Sequence, residues 1–418
     1  MISRFIITKI TSKTDGGKPH CLFLAAIYLN AHMPQSMTRS FTRFFSLLLF
    51  LPACAVSQIQ IVFTSDVHYG ITRPAFQGDS NVPSWRVNLK LIEKVNDLPS
   101  LLLPADHGVG AGQKITAIDY IMISGDIANR MENGVQSATL SWTQFTQGWL
   151  DGIKVKDHHQ DPPPFLLVPG NHDVSDAVGF YRPMNPRTDA TSMAGIYNLM
   201  MKPPVGKTNA TYRYSGDKIN YTRDIGGIHF MFITIWPDSA NRIWMEKDLA
   251  TVDPAIPVII VAHDPPDGDA AHFRNPNGLH DINAHDRFEG LLEETSKDVQ
   301  DPGPNGDGKP QNDRIEQQGF AAFLKAHPNI KAYFHGHNNW NQFYTYKGPD
   351  GDLKLPVFRV DSPMKGKYSA DDEKKLSFQL ITIDPVGKRL TVRECLWDTD
   401  PSHPGKSPVW GESSTLKL

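Results

Sequence analysis

Five short apolar runs in this 418-residue chain each stop at a polar corner that carries Asp, Asn or His. Residues 59–63 lead to Asp66-Val67-His68, and residues 121–123 lead to Gly125-Asp126. Residues 165–168 lead to Gly170-Asn171-His172-Asp173, residues 258–261 to His263, and residues 332–334 to Gly336-His337. A short apolar run that ends at a polar, Gly-containing corner reads as a buried strand feeding a loop. Five such strands can deliver carboxylate, amide and imidazole groups to one sheet edge. Those ligand types together suit Zn, Mn or Fe.

The rest of the chain fits layers of alternating strand and helix, an α/β class. Val87, Leu91, Ile92, Val95 and Leu98 recur at helical spacing and predict a helix over 85–98. Further helices are expected over 138–150, 243–249 and 320–326. Further strands are expected over 228–235, 342–346, 357–360, 378–383 and 390–394, so pairing becomes β-rich towards the end. Residues 99–117 read as an irregular insertion. Residues 174–222 and 264–315 lack a sustained period and are expected to be insertions that face substrate, since long loops in compact domains are commonly functional.

The start of the chain reads as a leader. Residues 1–36 are expected to be an unstructured upstream extension. Residues 37–57 have the pattern of a signal peptide: Arg39 and Arg43, an apolar stretch over 44–51, then small residues at Ala53, Ala55 and Ser57. This predicts a secreted or periplasmic protein whose folded domain spans 58–418. Leu51-Pro52-Ala53-Cys54 also resembles a lipoprotein signal, which would acylate Cys54 and leave a membrane-anchored lipoprotein. Plain secretion is favoured, because strand residues begin by Ile59 and leave almost no tether. The apolar stretch is too short for an ordinary transmembrane helix, so none is expected in the mature chain.

Residues 1–55 hold six Lys/Arg and one Asp, so without them the formal charge moves from −3 to about −8. A mildly acidic surface argues against sequence-blind nucleic-acid binding. Cys395 is the one cysteine left in the domain, which excludes a disulfide framework there.

The five corners make a chemical argument together. Asp66 and His68 are two apart, which at a strand end points both side chains the same way. Asp126 has two carboxylate oxygens and can bridge two cations. Asn171 offers a neutral amide oxygen, and His263 and His337 offer imidazole nitrogens. The natural grouping is two ions that share Asp126. Two-metal sites with ions about 3.5–4 Å apart suit hydrolysis of phosphate esters, because a water held between the ions becomes a hydroxide nucleophile near neutral pH. His172, next to a ligand, is placed to protonate the leaving alkoxide or to hold the phosphate.

With Asp-x-His, Gly-Asp, Gly-Asn-His-Asp, a lone His after a hydrophobic strand and Gly-His in this order, the chain resembles the calcineurin-like metallophosphoesterase family. Residues 244–249 and 263–266 are also similar to family sequence, and the resemblance covers roughly residues 59–395. It implies a four-layer fold, two mixed β-sheets flanked by helices, with the site at the C-terminal strand ends. It implies one metal on Asp66, His68 and Asp126, and another on Asp126, Asn171, His263 and His337. Asp126 and His172 become the residues closest to the chemistry.

The last motif departs from the family pattern Gly-His-x-His. Here it reads Gly336-His337-Asn338-Asn339, so Asn339 stands where a second histidine belongs. An amide oxygen there would shift preference from Zn towards Mn, Fe or Mg. A second register takes His335-Gly336-His337 as the His-x-His pair, although Gly336 and the following residues 340–343 favour the first. That following stretch loosely resembles acid-sphingomyelinase-like members. Purple acid phosphatases place an iron-binding Tyr three residues after the bridging Asp. This chain has Asn129, so no Fe(III)–tyrosinate site is expected.

The resulting expectation is a secreted, metal-dependent phosphoester hydrolase with two divalent or transition ions and a phosphoester as its partner. Alternatives of the same fold are a cyclic-nucleotide phosphodiesterase or a nuclease. An alternative of another class is a catalytically weak, metal-bearing binding module. His229, inside an apolar strand, is expected to be a satisfied structural histidine.

Overall fold

The strands Ile228–Phe232 and Val258–Val261 bury every residue on both faces, which requires packed layers above and below them. The computed structural model describes residues 58–129, 136–175, 189–268 and 314–418. These all fall in one compact unit, Ala55–Leu418. The expected extension, the signal segment with Cys54, and residues 269–313 of the second expected insertion lie outside the described residues.

In chain order the strands begin with β1 (Ile59–Thr64), β2 (Thr72–Phe76), β3 (Asp79–Pro83), β4 (Tyr120–Ile123) and β5 (Phe165–Leu167). They continue with β6 (Tyr221–Ile225), β7 (Ile228–Phe232), β8 (Val258–Val261), β9 (Ile330–His335) and β10 (Gln342–Tyr346). The last are β11 (Leu355–Arg359), β12 (Ser377–Asp384), β13 (Arg389–Leu396) and β14 (Val409–Lys417). The α-helices are α1 (Ser84–Asp97), α2 (Ala138–Phe145), α3 (Asn171–Ser175), α4 (Thr191–Met201), α5 (Ser239–Leu249) and α6 (Arg314–Ala326).

One sheet runs β14-β13-β12-β1-β4-β5, the other β10-β11-β9-β8-β7-β6, and β2-β3 form a separate ribbon. Both large sheets are mixed. In the first, β1, β4 and β5 are parallel and β12 joins β1 antiparallel. In the second, β7, β8, β9 and β11 are parallel, with antiparallel β6 and β10 at the two edges. The inner faces meet at aromatic contacts such as Phe63 of β1 on Phe334 of β9, with ring centroids 5.5 Å apart. Phe320 of α6 packs edge-on against Tyr333 of β9, covering the second sheet's outer face. On the first sheet's side, the Asn88 amide of α1 donates to Val67 O at 2.8 Å. This is the expected arrangement of two mixed sheets flanked by helices.

Some elements differ from expectation. The helix read over 138–150 is α-helical only to Phe145 and continues as one π turn, Thr146–Leu150. Part of the expected insertion 174–222 belongs to the body of the fold: α4 packs on β5, and β6 pairs with β7. Helix α4 buries Met193, Ala194, Ile196 and Met200, with Tyr197 and Leu199 partly covered, so it carries no one-sided stripe to read. The β2-β3 ribbon and β14 are mostly exposed and carry no apolar alternation. The irregular stretch near 106 is fixed to β13 by the buried Arg393, whose Nε and Nη2 donate to Asp106 at 2.8 and 2.9 Å. No helix among the described residues is long and apolar enough to cross a membrane.

Candidate metal centre

All five corners lie just beyond the C-terminal ends of β1, β4, β5, β8 and β9. Parallel pairing aligns the ends of β1, β4 and β5 in the first sheet and those of β8 and β9 in the second, so the corners come from two sheets and not from one sheet edge as expected. Ligand sites of parallel sheets are built at such ends. Past the ends, the backbone keeps the corners together. Asp66 N donates to Gly125 O, His68 N to Asp126 O, and Gly336 N to His263 O, at 2.9, 2.9 and 3.1 Å. Asp66, His68, Asp126, His337 and Asn339 all adopt positive φ, between 42° and 63°. Asp, Asn and His tolerate that conformation better than most residues, so the turns and the ligand chemistry ask for the same residue types. Gly125 sits at φ 101°, and a Cβ there would meet Gly170 N and His263 Nδ1 at 2.6 Å. Its lack of a side chain lets two corners touch.

The side chains converge on Asp126. Its Oδ2 lies 3.5 Å from His68 Nε2, 3.4 Å from His263 Nε2 and 3.9 Å from His172 Nε2. Asp66 Oδ1 lies 3.6 Å from His68 Nε2. On the other side of Asp126, His263 Nε2 lies 3.1 Å from Asn171 Oδ1 and 3.3 Å from His337 Nδ1. His337 Nδ1 is also 3.9 Å from Asp264 Oδ1. Asp66, His68, Asp126, Asn171 and His263 are buried, whereas His337 is only partly covered.

Each group is held by its outer atom. Asp66 Oδ2 accepts from His337 N, and Asp126 Oδ1 accepts from His172 N, at 2.9 and 2.8 Å. His263 Nδ1 donates to Ser124 O at 2.7 Å, and His68 Nδ1 donates to Asn129 Oδ1 at 2.8 Å. These bonds leave one carboxylate oxygen of each Asp, and the Nε2 lone pair of each His, facing inward. That is the arrangement in which outer partners orient metal ligands. Asp66 Oδ1 and His68 Nε2 are buried without a hydrogen-bond partner. Buried acceptors are rarely left so, and a cation would satisfy both. The donor set therefore fits metal.

The charges agree. Burial raises the Asp126 carboxyl, but His263, His172 and His68 outweigh it and hold it well below the usual range. Burial likewise opposes Asp66, yet His68 and His263 keep it lowered. Burial disfavours charge on His263, but Asp126 and Asp66 overcome this and push it up to about 10. Two buried carboxylates here demand compensating positive charge, either an imidazolium or a cation.

Six expected ligand positions, Asp66, His68, Asp126, Asn171, His263 and His337, come together with His172 beside them. Asn339 is less closely joined. Its Nδ2 donates to His337 O at 2.7 Å, and its Oδ1 is buried without a hydrogen bond. His335 points elsewhere: its Nε2 meets the Tyr344 hydroxyl at 2.9 Å and its Nδ1 lies 3.0 Å from Gly336 O. Burial first, then the Arg359 charge, hold His335 well below its ordinary pKa, and therefore neutral. His229 is satisfied as expected, between Asp224 and Asp248 at 2.7 Å each.

Three contributors escaped the sequence reading. Asn129 bridges His68 to His172, with its Nδ2 3.1 Å from His172 Nδ1. Asp173 accepts from Ile127 N, Ala128 N and Gly170 N at 2.9, 3.1 and 2.8 Å, tying the Asn171 corner to the Asp126 corner. Its place as the fourth residue of Gly-Asn-His-Asp was the available signal. Lys365 puts its Nζ 3.1 Å from His172 Nε2, and no motif marks it. Beside the centre, a cavity of about 350 Å³ is lined by Asp267, Asn338, Trp340, Gln342, Tyr344 and Arg359, among others.

The calcineurin-like phosphoesterase family profile matches residues 59–341, more than half of the chain. The phosphopantetheinyl hydrolase of Mycobacterium tuberculosis is 12% identical, over 73% of this chain and 90% of that one, with a TM-score of 0.31. Zinc-complexed Vps29 of Entamoeba histolytica is 9% identical, over 85% and 99%, with a TM-score of 0.30. YfkN of Bacillus subtilis, a calcineurin-like phosphoesterase, is 9% identical, over 86% and 90%, with a TM-score of 0.28. No curated protein matches the chain.

Proposed function

Because the chain belongs to the calcineurin-like phosphoesterase family, we propose that it is a metal-dependent phosphoester hydrolase whose centre is the cluster around Asp126. The observation that carries this reading is the convergence of Asp66 Oδ1, His68 Nε2 and Asp126 Oδ2 in a buried space, the first two without a hydrogen-bond partner. One ion would be held by Asp66, His68 and Asp126, with Asn339 as an added neutral oxygen. The other would be held by Asp126, Asn171, His263 and His337. When bound, two such ions supply an activated water and neutralise charge on phosphoryl oxygens.

The chain's own residues do the rest. Asn129 Oδ1 accepts from His68, so its Nδ2 must donate, and His172 Nδ1 accepts that bond. A neutral His172 therefore carries its proton on Nε2, towards the space over Asp126. That proton is positioned for transfer to a departing alkoxide. The cavity that includes Asn338, Trp340, Tyr344 and Arg359 begins one residue beyond His337 and would take the alcohol portion of the ester. The pattern over 37–57 supports export to a secreted or periplasmic location, with acylation at Cys54 as the other outcome.

The test is a screen of phosphomonoesters, diesters, cyclic nucleotides and phosphocholine lipids with chelated and metal-reloaded protein. Hydrolysis that disappears on chelation and returns with two ions per chain is the expected result. Undiminished activity after verified metal removal would overturn the reading. Tight metal binding with no turnover on any class would make the protein a binding module instead.

A further inference from the structure

Arg359, the last residue of β11, is 6% exposed, and among the described residues it makes no ion pair. Neutral oxygens alone meet its charge. Nε donates to Trp340 O at 3.2 Å, Nη1 to Asn338 Oδ1 at 3.4 Å, and Nη2 to Gln342 Oε1. A guanidinium has five N–H groups, so one on each terminal nitrogen is still uncommitted. Burial lowers its pKa to about 10, which leaves it charged at neutral pH. Taking a charge out of water without a counterion costs free energy that a bound anion would offset.

Arg359 is also held in place beside the metal centre. Its guanidinium carbon lies 3.4 Å from the Trp340 ring centroid and 5.4 Å from that of Tyr344. Lys367, exposed and likewise without an ion pair among the described residues, puts its Nζ 4.2 Å from the same Trp340 centroid. Lys367 N donates to Asn339 O at 2.5 Å, which ties this second cation to the turn that carries His337. Arg359, Trp340 and Tyr344 line the cavity of about 350 Å³ that begins one residue beyond His337. Asp267 lines it too, but Asp267 is exposed, where water and salt screen its charge, and it forms no ion pair with Arg359.

We propose that Arg359 binds a second oxyanion of the substrate, so that the protein takes phosphoesters whose alcohol portion carries a carboxylate or a further phosphate. The reacting phosphoryl group stays over Asp126, and the cavity takes the other end. Uncommitted N–H groups on a planar fork suit the paired oxygens of a carboxylate or phosphate. A guanidinium that only braced the turn against β11 would gain nothing from a second charge on the ligand. The proposal rests on the hydrolase reading for the place of the phosphoryl group, and its test separates the two.

The probes are butylphosphonate, carboxypropylphosphonate and propanediphosphonate, whose P–C bonds a phosphoester hydrolase does not cleave. Their affinities for the metal-loaded wild type, Arg359→Met and Lys367→Met are measured by calorimetry, and metal content by elemental analysis. The wild type should bind at least one of the two doubly anionic probes about 10- to 100-fold more tightly than butylphosphonate, the worth of one hydrogen bond between charged groups. Whichever gains more identifies the second oxyanion. Arg359→Met should erase that preference, with metal content unchanged and butylphosphonate affinity within about threefold of wild type. Lys367→Met, at an exposed position, should reduce the preference by about two- to fivefold. Equal affinity of the wild type for all three probes overturns the proposal even if Arg359→Met does not fold. Loss of affinity for all three alike in Arg359→Met also overturns it, and makes Arg359 a brace or a contact of the reacting phosphoryl group. If the wild type hydrolyses none of the corresponding phosphate esters, the hydrolase reading fails, and the phosphonate affinities still decide whether Arg359 is an anion site.

Discussion

His68 Nδ1 and Asn129 Oδ1 are 2.8 Å apart, and through that bond one amide sets the state of two imidazoles. The other end of the same amide, Asn129 Nδ2, lies 3.1 Å from His172 Nδ1. An amide has one accepting and one donating end, so His68 must donate and His172 must accept. His68 then turns a lone pair towards Asp126, and His172 turns a proton towards the open side.

Asn129→Asp tests that relay. A carboxylate accepts from both rings, so the His172 proton moves to Nδ1 and Nε2 loses its role as donor. His68 keeps its partner and its inward lone pair, so metal content should remain at wild-type level. Turnover of alkyl phosphates should fall by about 10²-fold, the lower range for general-acid help. Wild-type turnover in this variant, measured at the same metal content, would remove Asn129 from the proton pathway.

His172→Ala removes the proton itself. Alkyl phosphates need a protonated leaving group and should lose about 10²–10⁴-fold in kcat. Nitrophenyl phosphate, whose leaving group departs unprotonated, should lose much less. Metal content should change little, because no metal is assigned to His172. Equal losses on the two leaving groups would mean that His172 only binds phosphate.

The strands β1, β4, β5, β8 and β9 were legible because a buried strand must be apolar and must stop where the chain turns polar. Their corners were legible because Asp66, His68, Asp126, Asn171, His263 and His337 follow in a fixed order. Lys365 was not, since it meets His172 across 193 residues with no local pattern to announce it. Asn129 was visible only as the absence of a tyrosine. Strand β14 was missed for another reason: an exposed edge strand such as Val409–Lys417 has no core face to impose alternation. Helix α4 was missed because its partners surround it.

Asp361, just after β11, gives a pH prediction away from the ligands. Burial outweighs the groups that would lower it, Ser369 and Arg73 among them, and pushes its carboxyl from 3.8 up to about 8. Between those values the folded chain holds a proton that the unfolded chain has lost. Unfolding therefore releases a proton, and stability falls as pH rises from about 4 to about 8, then levels off. Asp361→Asn removes this titration. From pH 5 to pH 8, denaturant unfolding should move in the variant's favour by about 1 kcal/mol or more, since each pKa unit of the shift is worth about 1.4 kcal/mol. Movement in the wild type's favour would mean that Arg73 keeps Asp361 ionised in the folded state.

The last motif decides how the first metal position is completed. His335 spends both ring nitrogens away from the cluster, on the Tyr344 hydroxyl and beside Gly336 O. Asn339 keeps a buried Oδ1 without a hydrogen bond, on a turn that also carries His337. If Asn339 is the ligand, His335→Ala should retain two ions per chain and lose only some stability from its cavity. Asn339→Ala should lose one ion or bind it weakly, since removing a ligand removes a bond and local geometry together. Asn339→His should raise Zn affinity relative to Mn, because imidazole is the softer donor. Metal stoichiometry of the three purified variants, with Zn and Mn competition for the last, settles the choice. Loss of an ion in His335→Ala with two retained in Asn339→Ala would reverse the assignment, and would require the His335 ring to leave Tyr344 when metal binds.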